Sequence, residues 1–281
     1  MEKWEGKVAL VTGASKGIGA AICIELVKSG MIVYGIARSV ELIQALSDQL
    51  KGQKGQLIAK KCDLRVKSQI LDVFTEIEKK HGLVHVVVNN ASVSGSASIM
   101  DGETKDWRNM LAVNVVAPAI TCQKAINLMM EKDYDTGHII NIGATSSHNI
   151  SIYPSHHFWS ATKYGLRSMT EGFSMELKSL KSHIKMTHIS PGNTKTDFLK
   201  GKMMPFDPDF EEFKKFAVRV GVKEENLPKK NPVDLTGEGI YNSEEPRALK
   251  PGDVADYVIY ALSSPLHAEV SELTIRPIQT Y

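Results

Sequence analysis

Short apolar, β-branched runs alternate with longer amphipathic stretches along nearly the whole chain, and this alternation restricts the fold more than any other feature. The runs are 8–12, 32–37, 57–62, 84–89, 138–142 and 185–190, with a last one near 273–277. The early runs are continuously apolar, as in strands buried on both faces of a parallel sheet. Helical periodicity fills the intervals at 18–29, 68–79, 105–132 and 160–180. The first carries Ile18, Ile22, Leu26 and Val27 on one face, and the second Ile70, Val73, Phe74 and Ile77. Such alternation predicts right-handed βαβ units and an α/β fold: a Rossmann-type, doubly wound parallel sheet. With 281 residues, one domain spanning 1–281 is expected.

Composition narrows the partners. The net charge is only +2 and the basic residues form no dense cluster, so neither nucleic acid nor a membrane surface is expected as a partner. The apolar runs fall short of the roughly 18 residues of a membrane span. The chain runs from Met1-Glu2-Lys3-Trp4 straight into its first strand without a leader pattern. Cys23, Cys62 and Cys122 lie far apart, without metal-ligand spacing. Buried thiols, no metal site and a cytoplasmic location are the expectations.

One stretch breaks the alternation. Residues 198–250 mix Met203, Met204, Phe206, Phe210 and Phe213 with Lys/Glu pairs, then turn rich in Pro and Gly. A connection this long is either a tolerated insertion or a functional segment. Because it follows the sixth strand, at the edge where α/β sheets bind ligands, a lid over a substrate pocket is predicted.

The clearest motif is Gly13-Ala14-Ser15-Lys16-Gly17-Ile18-Gly19, set between the first strand and the first helix. Glycines at that junction permit a tight turn and let a pyrophosphate approach the backbone N–H groups of the helix start. Gly13, Ser15, Lys16, Gly17, Ile18 and Gly19 are therefore candidate cofactor ligands. The second strand ends Gly35-Ile36-Ala37-Arg38, without the acidic residue that holds the ribose hydroxyls in NAD sites. Arg38, helped by Lys16, suits a 2′-phosphate, so NADP(H) is the expected cofactor.

Further motifs follow in order: Asp63-Leu64, Asn89-Asn90-Ala91, Val113-Asn114-Val115, Ser160-Ala161-Thr162-Lys163 and Ser190-Pro191-Gly192. Together with the glycine loop they resemble the short-chain dehydrogenase/reductase family over nearly the whole chain. Phe158-Trp159-Ser160-Ala161-Thr162-Lys163-Tyr164 and Lys250-Pro251-Gly252-Asp253-Val254-Ala255 are similar to the cytosolic farnesol-dehydrogenase-like reductases. Those use NADP(H) on terpenoid, steroid or small carbonyl substrates. The resemblance implies cofactor contacts at Asp63, Leu64, Asn90, Lys163, Pro191, Gly192 and Thr196. It also implies a small apolar ligand, and a homodimer or homotetramer paired through the helices of 105–132 and 160–180.

In that family a Tyr exchanges a proton with the substrate oxygen and a Ser hydrogen-bonds that oxygen. A Lys four residues after the Tyr holds the ribose and lowers the Tyr pKa, and an Asn anchors a water. Lys163 and Asn114 match the last two. The other two do not match, since position 159 is Trp and position 144, second after Asn141-Ile142, is Ala. The usual Asn-Asn-Ala-Gly is also changed, to end in Ser92. An indole N–H donates a hydrogen bond but gives up no proton near neutral pH. Thr145, Ser146, Ser147, His148, Tyr153, His156 and His157 lie close by in sequence. Tyr153 and Ser146 are the leading candidates to substitute for the missing groups, although a polar loop is the plainer reading. Three functions remain open: a cofactor-binding protein with little turnover, an oxidoreductase with a substitute proton donor, or a non-redox enzyme such as an isomerase or cyclase.

Overall fold

The computed structural model describes residues 1–95, 97–151, 154–196, 218 and 248–278. Seven strands form one sheet in the order β3-β2-β1-β4-β5-β6-β7. They are β1 (Val8–Thr12), β2 (Ile32–Ala37), β3 (Gln56–Lys61), β4 (Val86–Asn89), β5 (His138–Ile142), β6 (Lys185–Pro191) and β7 (Glu272–Ile275). Every neighbouring pair is parallel, as the continuous apolar runs predict. The helices that lie within the described residues are α1 (Gly17–Lys28), α2 (Val40–Gln49), α3 (Lys67–His81), α4 (Thr104–Leu111), α5 (Ala117–Glu131), α6 (His157–Ser179) and α7 (Pro251–Ser263).

Two buried clusters show why the sheet is doubly wound. Successive β1 side chains take opposite faces: Ala9 and Val11 join Ile22, Leu26, Ile43, Val254 and Val258 from α1, α2 and α7. Val8 and Leu10 join Ile70, Phe74, Cys122, Met129 and Leu177 from α3, α5 and α6. Strand order reverses between β1 and β4, so the crevice beyond their carboxyl ends is where such sheets take ligands.

The structure shifts some sequence expectations. Strand β3 is one residue earlier than 57–62, because its pairing starts at Ile32↔Gln56; as an edge strand it has a weak apolar pattern. Helix α2 escapes periodicity because Ile43 is its one fully buried side chain. The stretch 105–132 is a continuous helix from Thr104 to Glu131, 28 residues long and apolar enough by length and composition to cross a membrane. Lys105, Asp106, Arg108 and Lys124 interrupt its apolar run, and half of its most apolar window is buried within the protein. Apart from residues 218 and 248–250, the expected lid at 198–250 lies outside the described residues, as does Tyr153.

Candidate functional site

At the β1–α1 junction Gly17 holds φ 59°, in the left-handed region. A Cβ on Gly19 would lie 2.3 Å from Gly13 O and 2.5 Å from Asn90 Nδ2, so only glycine allows the helix to start this close to the loop. No side chain caps the start of α1. The amides of its first turn thus face the crevice as anion donors, which fits a pyrophosphate. Ile18 packs partly into the core behind them. Thr196 stands over the loop, its Cγ2 3.2 Å from where a Gly17 Cβ would be.

Asn90 builds this cradle from the opposite side. Its Nδ2 donates to Thr12 O at 3.0 Å and Gly13 O at 3.3 Å, and its own amide donates to Thr12 Oγ1 at 3.0 Å. The Asn90 side chain therefore fixes the loop's shape. At the ends of β2 and β3, Arg38 is exposed and close enough to Asp63 to help keep its carboxylate ionised. Hydrogen bonds from Arg65 dominate there and hold Asp63 at about 2. Lys16 is also exposed. Leu64 is wedged beside the second core cluster, and Gly192 N donates to Ile275 O at 2.6 Å just after Pro191 closes β6.

The second half of the site sits at the start of α6. Lys163 is buried, with Nζ donating to Ile142 O at 3.0 Å and standing 5.7 Å from the centre of the Trp159 ring. Burial pulls its ammonium down to about 8. Four residues earlier, Trp159 turns its indole N–H onto Ser92 Oγ at 3.2 Å. Two departures from the family pattern, 67 residues apart, are therefore in contact.

Asn114 lies in a π-helical turn, Ala112–Val116, between α4 and α5. Single π turns recur at functional sites. Its side chain grips Val93 twice, with Nδ2 donating to Val93 O and Oδ1 accepting from Val93 N, both at 2.8 Å. Nδ2 also reaches Thr162 Oγ1 at 3.0 Å, and that hydroxyl donates to Trp159 O at 2.7 Å. A closed circuit of Trp159, Ser92, Val93, Asn114 and Thr162 ties α6 to the loop after β4.

The potential substitutes for the missing groups are scattered. Ser147 Oγ accepts from Ala144 N and meets His188 Nε2, each at 3.2 Å. Ser146 is half-buried in the same turn. His148 Nε2 sits between Ser190 Oγ at 3.0 Å and Glu272 Oε1 at 3.1 Å, while His157 Nε2 meets Ser151 O at 3.1 Å. His156 has its ring 5.7 Å from Trp159, but burial pulls it down to about 4, which leaves it neutral at pH 7.

Sequence reasoning missed His188. It is buried in β6 with Nδ1 unpartnered among the described residues, and a Cβ on Gly143 would lie 2.2 Å from its Nε2. The signal was available: a histidine inside an otherwise apolar, strand-like run. Among the described residues no cluster of His, Cys, Asp and Glu could hold a metal ion, and all three cysteines are buried and free.

The sequence profile of short chain dehydrogenases matches residues 7–204. The chain is 39% identical over 281 residues to dehydrogenase/reductase SDR family member 11 of Gallus gallus, covering 99% of each. It is 34% identical over 280 residues to farnesol dehydrogenase of Aedes aegypti, covering 99% of this chain and 98% of that one. A metagenomic short-chain oxidoreductase solved in complex with NADP superposes with a TM-score of 0.73 at 24% identity, covering 99% of each chain. The cradle, the buried lysine and the seven-stranded parallel sheet thus have an established setting: this chain belongs to the short chain dehydrogenase family.

Proposed function

We propose that this chain binds NADP(H) and a small apolar ligand, and that its carbonyl–alcohol redox turnover is impaired. The observation that carries this reading is Trp159, four residues before the buried Lys163, with its one N–H already given to Ser92. A bound dinucleotide supplies or accepts the hydride. The protein must then hold the substrate oxygen and move its proton.

The first turn of α1 would hold the pyrophosphate through its amides, and Lys163 Nζ, which gives one of its three N–H donors to Ile142 O, would hold the ribose. No group at position 159 or 144 can pass a proton to an alkoxide. Losing a positioned general acid costs roughly 10²–10⁴ in rate, and losing an oxyanion donor roughly 10²–10³. These losses are not additive when the groups act as a unit.

Arg38 and Lys16, with no acidic residue at the end of β2, support NADP(H) over NAD(H). NADPH should bind at least ~10-fold more tightly than NADH, and Arg38→Asp should remove that preference. Titration calorimetry on both proteins checks this; equal affinities for wild type would defeat the cofactor assignment. The functional reading is tested by following NADPH oxidation with a panel of aldehydes, ketones and quinones. Tight NADPH binding without oxidation is expected, and ready oxidation by any member would defeat it.

A further inference from the structure

We propose that Ser92 is the hydrogen-bond donor that recognises the oxygen of a carbonyl-bearing apolar ligand, in the crevice beside Trp159. This rests on the reading that the site binds its ligand without efficient turnover. A serine hydroxyl has one O–H to give and two lone pairs. The Trp159 indole N–H occupies one lone pair, and among the described residues no acceptor takes the Ser92 O–H. A hydroxyl that accepts a hydrogen bond becomes a better donor, by roughly 10–30%. The pair thus forms a polarised donor chain, indole N–H to serine O–H, that ends on an open hydrogen.

Its position is fixed on both sides. The amides of Asn90 and Ala91 both donate to Thr12 Oγ1 at 3.0 Å, which pins the preceding residues to the end of β1. Asn114 clamps Val93 immediately after. Ser92 Oγ therefore stands beside the residue at the tyrosine position, at the carboxyl edge of the sheet. Two nearby hydroxyls are committed, Thr162 to Trp159 O and Ser147 to the Ala144–His188 corner, and the Ser160 hydroxyl is buried away from solvent. Ala144 has no hydroxyl to offer. Neither serine nor indole releases a proton near neutral pH, so a ketone oxygen is held there and not protonated.

The test uses two probes of one shape, acetonaphthone and isopropenylnaphthalene, in which a methylene replaces the carbonyl oxygen. Dissociation constants are measured by titration against the NADP⁺-saturated protein. Wild type should prefer the ketone roughly five- to tenfold, the worth of one neutral hydrogen bond. Ser92→Ala and Ser92→Gly should bring the ratio to about one. Trp159→Phe, which keeps an aromatic wall without the N–H, should lower the ratio without abolishing it. Because each protein is read as a ratio of two probes, a loss of folding or of cofactor cancels. A wild-type ratio near one, a preference that survives in Ser92→Ala, or failure of both probes to bind overturns the proposal. Oxidation of NADPH by acetonaphthone, followed separately, would instead overturn the reading of low turnover and leave the ratio legible.

Discussion

Replacing Trp159 by Tyr and Ala144 by Ser together is expected to raise NADPH-dependent ketone reduction at least about 10²-fold over wild type. The surroundings needed by the two new groups are already present. Lys163 lies one helical turn after position 159 in α6 and is buried against Ile142 O. Asn114 holds the π turn and the loop after β4 in place. The backbone at Ala144 is extended, with φ −165°, a conformation open to serine. A phenol is smaller than an indole, so Tyr also frees space where a carbonyl must enter.

Each single change should recover far less than the pair, because donor and acid act on the same oxygen in one transition state. Trp159→Phe separates relief of bulk from proton supply and should gain nothing. NADPH absorbance during turnover reads all five proteins, wild type included. If the double variant binds NADPH yet gains no rate, Lys163 and the glycine loop do not present the cofactor to position 159.

The second large effect is on acid stability. Moving from pH 7 to pH 5 should lower the free energy of unfolding by roughly 4 kcal/mol through His138 and His188 alone. Burial pulls both down to about 3, against an ordinary value near 6.5. His138 has Nε2 2.8 Å from Thr187 Oγ1 between β5 and β6, and His188 fills the corner beside Gly143. A group with a depressed folded value stabilises the fold in full above its unfolded value, and that contribution drains away as pH falls towards the folded one. In the window from 6.5 to 5 each of the two gives up roughly 2 kcal/mol, as protons bind the unfolded chain but not the folded one.

Asp63, held at about 2 by Arg65, stays ionised throughout this window and does not contribute. Urea unfolding followed by circular dichroism at the two pH values measures the slope. His85 and His156, which burial pulls down to about 4, add to the same slope, so His138→Gln should remove roughly 2 kcal/mol of the change, about a quarter. A slope unchanged by that substitution would show that His138 is protonated in the fold.

Legibility from sequence followed how strongly each feature marks the residues. Strands β1, β2 and β5 match their expected bounds because burial on both faces selects unbroken apolar runs. The glycine loop was legible because no other residue tolerates the approach at Gly19. Helix α2 was not, since it rests on the core through one fully buried side chain. The changes at positions 144, 159 and 92 could be read residue by residue. Their coupling could not, because the Trp159–Ser92 bond joins segments that only the folded sheet brings together. His188 went unnoticed because its role depends on the small residues at Gly143 and Ala144, which lie on the neighbouring strand's continuation.

The most direct measurement supplies wild type with farnesal and NADPH deuterated at the transferring carbon of its nicotinamide, then assays recovered farnesol for deuterium by mass spectrometry. The Trp159→Tyr/Ala144→Ser protein runs in parallel, with NADPH binding by both confirmed by titration. Wild type should bind the dinucleotide and leave the farnesal unreduced over times in which the double variant converts it to deuterated farnesol. Deuterium appearing in farnesol at comparable rates from both proteins would contradict the loss of proton delivery at Trp159, and would mean that another group in the site supplies it.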